Sequence, residues 1–352
     1  MTQATKKNIA PAITLLFLSP LIIEILPGAT RFSSIFVFPI EMVVWGGGAL
    51  LIRYVVRKSK AAWINMLLLA LALSLAEEFL IQQTSVAPMV IRLKGITYAR
   101  AGGINYVYLL WALIYEPVFA VLLPVFLTEL IFPKGAKDLW INKGGVILFS
   151  ILFLLGSFAA WFTWTQIARV KVFHLPEYKP TFLLLAIAII LILFLIFMGT
   201  RHLKKTFPVI QKIKLPKPWV LVMSGVLWAT LLFGLVLLGF GITPSFPPIV
   251  AVVAGLGLAI VAISFLPSWK KDPRWKRLHT FSIIFGVMLG SMLISFIGFI
   301  GAAPADLYFK IIIDVIAITF LIALGLKIKK QSKHEVLNTY FDPLTEEKKI
   351  HV

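Results

Sequence analysis

Leu71–Gln83 reads LALSLAEEFLIQQ and closes an apolar run over residues 62–82 that is long enough to cross a bilayer. Two adjacent glutamates, Glu77 and Glu78, stand inside that run. A charge at membrane depth costs roughly 2.5–3.5 kcal/mol on insertion scales, so an ionisable residue there marks a functional position by default. The stretch raises two questions: how many such runs surround it, and how many carry charge.

Working outward, runs of about 20 apolar residues recur at 9–26, 35–55, 62–82, 104–132, 143–167, 180–200, 218–240, 246–267, 279–301 and 307–327. The chain is 60% hydrophobic and 14% charged with a mean hydropathy of +0.95, against about 25% charged residues in an ordinary soluble domain. Backbone polar groups must pair within each span in lipid, so the runs read as helices. The expected fold is an all-α polytopic membrane protein of about ten transmembrane helices. It divides into residues 1–142 with the acidic residues, an apolar section 143–327, and a charged tail 328–352 that reads as disordered. Lys6 and Lys7 precede an apolar run holding Pro20 and Glu24, with no small-residue cleavage pattern after it, so that run is taken as the first helix and not a signal peptide.

The net charge of +19 is not a nucleic-acid signal, because its distribution follows the loops. Alternate loops and both ends hold 26 of the 34 Lys and Arg, with Arg53 near the end of the second run counted among them, the opposite loops hold seven, and Lys310 lies within the last run. The positive-inside bias puts both termini in the cytoplasm, and the expected location is a plasma membrane, of bacterial inner-membrane type. Basic inner loops also suit an anionic leaflet. There is no cysteine, so thiolate metal sites and disulfides are excluded. Phosphate-binding glycine loops and HExxH spacings are both missing, and the cofactor stays unknown at this stage. The partners expected are the lipid bilayer and a cation or small cationic solute.

In this topology Glu24, Glu41, Glu77, Glu78 and Glu116 all fall in the outer half of the first four helices. Pro20 precedes Glu24 and should kink the first helix. Gly46–Gly48 follow Glu41 and permit a tight crossing. Ser74, Glu78 and Gln82 recur every four residues as one polar stripe, with Glu77 about 100° away. Residues 83–103 form the longest outer loop, read as surface loop or re-entrant cover. The fourth helix holds Pro117 and Pro124, and Glu116 lies roughly 16 Å below its outer end. The prolines free the carbonyls of Leu113 and Ala120, an arrangement that broken transporter helices use for cations. Five carboxylates cannot all be ionised and unpaired in one region, so some carry protons unless a cation, Lys310, or Arg31, Arg92 or Arg100 compensates.

Other features have plainer readings. Gly286 and Gly290 form a GxxxG read as internal packing. Lys310 and Asp314, four apart, read as an ion pair on one helix face. Trp161, Trp164, Tyr106 and Tyr108 suit an interfacial belt, while Tyr108, Trp111 and Tyr115 share a helix face that would wall the space above Glu116. An inverted five-plus-five repeat is a minority reading, since later helices hold no counterpart of Pro20/Glu24 or Glu77/Glu78.

Three functions compete. The leading one is transport or binding of a cation or cationic solute in an outward-facing acidic cavity, with Glu78 and Glu116 as ligands or proton carriers and Glu24, Glu41 and Glu77 tuning them. The second is a glutamate-dependent hydrolase that activates water. The third is a purely structural role. At Glu77–Glu78 the chain resembles the CAAX-prenyl-protease and bacteriocin-processing family, whose first motif is two glutamates followed by an arginine at the position of Gln82; the resemblance implies an intramembrane peptidase that also needs histidines in later helices. The five histidines here, His174, His202, His279, His334 and His351, lie in loops, at helix ends or in the tail. More broadly, the order SPLIIEIL, GGGALLIR and AEEF looks like a group of bacterial multi-pass membrane proteins, which implies the fold and no particular activity.

Overall fold

The computed structural model describes residues 9–88, 98–201, 214–242 and 245–341. Among these, nine helices are long and apolar enough to span a membrane, and a tenth, Ala10–Ile25, is shorter. The chain is an all-α multi-pass membrane protein. In order the helices are α1 (Ala10–Ile25), α2 (Phe32–Lys58), α3 (Trp63–Ile81), α4 (Tyr106–Ile131), α5 (Lys143–Val172), α6 (Phe182–Thr200), α7 (Pro218–Gly241), α8 (Pro248–Lys270), α9 (Arg277–Phe299) and α10 (Pro304–Ser332). The last continues helically to Phe341, and the tail beyond it lies outside the described residues.

Helix starts follow local chemistry. Pro218, Pro248 and Pro304 each open a helix, where the missing N–H costs nothing. Asn105, Asn142 and Thr181 accept N–H groups of the first turns of α4, α5 and α6.

Burial separates a centre from a periphery. In the most apolar window 67% of α3 and 61% of α4 is buried, against 6% of α5 and 11% of both α6 and α8. Large side chains such as Leu154, Phe158, Phe182, Ile190 and Val253 are exposed on these outer helices and face where lipid lies. The continuous core draws on α1 to α4, α7, α9 and α10 through residues such as Leu15, Ala49, Phe119, Leu232, Ile284 and Leu321.

Two expected close crossings are present. A Cβ on Gly46 would fall 2.3 Å from the Leu16 carbonyl oxygen of α1, the group freed by Pro20. The GxxxG packs internally: Cβ atoms on Gly286 and Gly290 would strike the Val222 and Val226 carbonyls of α7. Lys310 and Asp314 pair at 2.5 Å, and Lys310 Nζ also donates to the Leu26 carbonyl at the end of α1. The connection between α3 and α4 ends in a two-stranded hairpin, β1 (Arg100–Ala101) and β2 (Ile104–Asn105), the only strands among the described residues.

Candidate functional site

Each of α1 to α4 contains one wide π-turn, and every glutamate of the set lies in such a turn or immediately before it. The turns are Leu21–Ile25 with Glu24, Met42–Gly46 after Glu41, Glu77–Ile81 with Glu77 and Glu78, and Pro117–Leu122 after Glu116. Backbone bonds there span five residues: Leu26 N–H to Leu21 O and Gln82 N–H to Glu77 O, both 2.9 Å. Pro20 and Pro117 stand at the start of two of them and lack the N–H that would continue the α-ladder. Such insertions occur often at functional sites. The turn of α4 also packs against those of α1 and α2.

The structure brings all five carboxyls into one acidic region. Glu78 and Glu116 face each other within hydrogen-bond range, with Ser85 beside Glu78 and Ser74 beside Glu116. A hydrogen bond between two carboxyl groups requires a proton on one of them. Thr84 Oγ1 donates to Glu78 Oε2 at 2.9 Å. Glu116 Oε2 and both oxygens of Glu77 are buried with no hydrogen-bond partner of good geometry, although the Gln82 side chain stands close to Glu77. Glu24 Oε1 accepts from Trp45 Nε1 at 2.8 Å, and Glu41 accepts from the Thr30 hydroxyl, leaving its Oε2 unpartnered. Glu77, Glu78 and Glu116 are 2%, 1% and 6% exposed, and of these three Glu77 is the one with neither oxygen partnered.

The compensating cations expected from the sequence are engaged elsewhere. Arg31 donates to the Gly298 carbonyl at 2.8 Å and lies over the Phe299 ring. Arg100 donates to the Val86, Ala87 and Gly103 carbonyls, and Lys310 is held by Asp314 and Leu26. Turns and helix ends leave carbonyls without helical partners, and these nearby donors satisfy them. Arg92 lies outside the described residues.

Three further expectations are corrected. First, among the described residues Glu77, Glu78 and Glu116 do not line an open cavity: all three are buried, and the segment 83–88 brings Thr84 and Ser85 onto Glu78. Asn105 N–H holds the Ser85 carbonyl at 2.8 Å, Arg100 holds Val86 and Ala87, and Arg169 Nη1 holds Pro88 at 2.9 Å. Second, Gln82 does not continue the Ser74–Glu78 stripe: the wide turn adds a residue, which places Gln82 by Glu77 instead. Third, the Ala120 carbonyl freed by Pro124 is no open cation ligand, since Ser19 Oγ donates to it at 2.6 Å. Among the described residues, no three acidic or histidine side chains converge closely enough to hold a metal ion.

The aromatic face of α4 forms a wall. Trp111 stacks on Tyr115 with centroids 4.5 Å apart, Tyr115 lies tilted by 34° against Phe119 at 4.6 Å, and Phe233 of α7 meets all three rings edge-on. The Tyr115 hydroxyl donates to the Ile23 carbonyl, within the wide turn of α1. Tyr108 sits beside Thr84, Glu78 and Glu116, so it borders the cluster as well as the interface.

A second polar centre lies around Arg53, at the other end of the bundle. Arg53, counted with the inner loops, is 1% exposed; it donates to Glu129 at 3.1 Å and to the Ala136 and Asp138 carbonyls, and lies 3.2 Å over the Trp140 ring. Its position within the apolar run GGGALLIR was the available signal. His279 stacks on Trp275 at the opposite end of the bundle, and no described histidine bonds to any of the five glutamates. No protein-family model matches the chain, and no curated protein or solved structure matches it significantly.

Proposed function

We propose that this integral membrane protein binds and passes protons, alone or coupled to a small cationic solute, through the acidic cluster of α1 to α4. The observation that carries the reading is the buried Glu78–Glu116 pair, acid facing acid, with Glu77 unpartnered beside it and arginine side chains turned to carbonyls. A group kept for stability would be expected to have a counter-charge. Groups that must gain and lose a proton are better served by a neighbour of the same kind. In this reading Glu78 and Glu116 are the primary carriers, Glu24, Glu41 and Glu77 set their protonation, and residues 83–88 gate access from outside. A proton or an organic cation fits better than a metal ion, for which the carboxylates do not converge. The hydrolase implied by the di-glutamate resemblance has less support, because Gln82 replaces the arginine and no described histidine joins the pair.

The test is reconstitution in liposomes with an internal pH dye. An imposed pH gradient should collapse faster with the wild-type protein than with Glu78→Gln or Glu116→Gln, the variants inserting normally. Equal collapse in all three would remove the proposal. Stability of wild type and Glu116→Gln across pH 4 to 9, with and without added cations, locates a cationic ligand by mass action.

A further inference from the structure

At the opposite end of the bundle a cavity of about 430 Å³ opens between the ends of α2, α4 and α8 and the starts of α3 and α9. Its charged and polar lining is Arg57, Lys270, Arg277, Thr280 and Glu129. Glu129 is already spoken for, with one oxygen accepting from both Arg53 and Arg57. Arg277 is held only by neutral acceptors, the Leu130 carbonyl at 2.9 Å and Gln331 at 3.2 Å. Lys270 lies 5.5 Å from the Phe126 ring, and among the described residues neither Lys270 nor Arg277 has a carboxylate partner. Arg57 Nε is buried with no acceptor. The Thr280 hydroxyl accepts from Trp275 Nε1 at 2.9 Å, which leaves its own proton free to donate. The cavity therefore offers donors and net positive charge without an anion to meet them.

A second cleft, about 230 Å³, adjoins the first and shares Trp63, Phe126, Lys270 and Thr280 with it. It runs between α4, α7, α8 and α9, and its further walls are apolar, including Leu122, Trp228, Val261 and Phe265. A basic head space joined to an apolar slot between helices matches the two ends of one kind of molecule.

We propose that this end of the protein is a binding site for a phosphate-bearing membrane lipid. The phosphate sits among Arg57, Lys270, Arg277 and Thr280, and an acyl or prenyl chain lies in the cleft against Trp228 and Phe265. The charge bias places this end in the cytoplasmic leaflet, where basic pockets between helices take anionic headgroups. The combined volume lies within the ordinary range for a ligand site. The site is separate from the acidic cluster and does not depend on how that cluster works.

The test is native mass spectrometry of the full chain released from phosphatidylcholine nanodiscs containing a minor fraction of phosphatidylglycerol. Phosphatidylglycerol should be retained above its bulk proportion, and Lys270→Gln should lower that enrichment by about fivefold, the factor for one cation near an anionic lipid. Lys270 donates no hydrogen bond to the fold among the described residues, so this variant keeps the structure. Val261→Trp, which fills the slot, should reduce lipid retention while leaving the charged lining intact. Retention in bulk proportion, or enrichment unchanged in both variants, overturns the proposal. Inorganic phosphate stabilising the protein as strongly as the lipid would make this a free-phosphate site and also overturns it.

Discussion

Lys310 with Asp314, and Glu78 with Glu116, are two ways of burying ionisable groups in one bundle. The first pair carries its own counter-charge: opposite charges at 2.5 Å, with the ammonium also on the Leu26 carbonyl and over the Phe296 ring, although Asp314 Oδ1 is buried without a hydrogen-bond partner. It ties α10 to the end of α1. The second pair sets like against like and leaves Glu116 Oε2 without a partner. The contrast teaches that burial of ionisable groups does not by itself tell the two pairs apart; the presence of a counter-charge in one and its absence in the other does. Arg53 makes the same point at the other end, since its donors meet a carboxylate and two carbonyls and it reads as architecture.

The comparison can be broken or sharpened by substitution, taken from the largest effect on stability to the smallest. Lys310→Met strands Asp314 and should cost about 3–5 kcal/mol, whereas Lys310→Met with Asp314→Leu should recover most of it. Thermal unfolding in detergent reads both, and a mild single variant would mean that the pair is not structural. Arg53→Met removes donors from Ala136 and Asp138 and one partner from Glu129, for a loss of about 2 kcal/mol in the same assay. Tyr115→Phe gives up the bond to Ile23 while keeping the ring stack, and should cost about 1 kcal/mol. Glu116→Gln should change stability by less than about 1 kcal/mol, because an amide can still bond to Glu78, yet it should abolish proton movement. A large loss of stability there would move the cluster into the structural class.

The smallest effect belongs to a surface pair. Asp272, in the loop between α8 and α9, is held at about 2 by the Arg274 side chain and its backbone N–H. A depressed carboxyl contributes above its ordinary range and loses that contribution only as pH falls through about 2. Asp272→Asn should therefore leave melting curves between pH 4 and 8 parallel to wild type, and the pair is too exposed to matter much.

The apolar runs, the helix-opening prolines, the GxxxG crossing and the Lys310–Asp314 pair were all legible, because each depends on spacing within one segment. So was the grouping of five glutamates at one level, which needed only helix direction. What escaped depended on the chain departing from regular pitch or folding back. The position of Gln82 required knowing that α3 widens at Glu77, and no residue type announces that. The placement of residues 83–88 against Glu78 depends on Arg100 and Arg169 bonding to carbonyls in preference to acids, a choice made by three-dimensional proximity. Arg53 escapes charge counting, which assigns any arginine near a helix end to the loop.

The wide turns of α1 to α4 each hold one residue more than an α-turn of the same height. That surplus is slack which the backbone can relocate without breaking the helix. If Gln82 N–H exchanges its Glu77 acceptor for the carbonyl of Glu78, the turn tightens, and the residues on one side of it rotate by about 100°. Such a rotation swaps which of two adjacent acids is presented to Glu116. The wide turn of α4 packs against those of α1 and α2, so a tightening of α3 would exchange Glu77 for Glu78 next to a region whose own pitch is already relaxed, and two consecutive glutamates are what such an exchange needs.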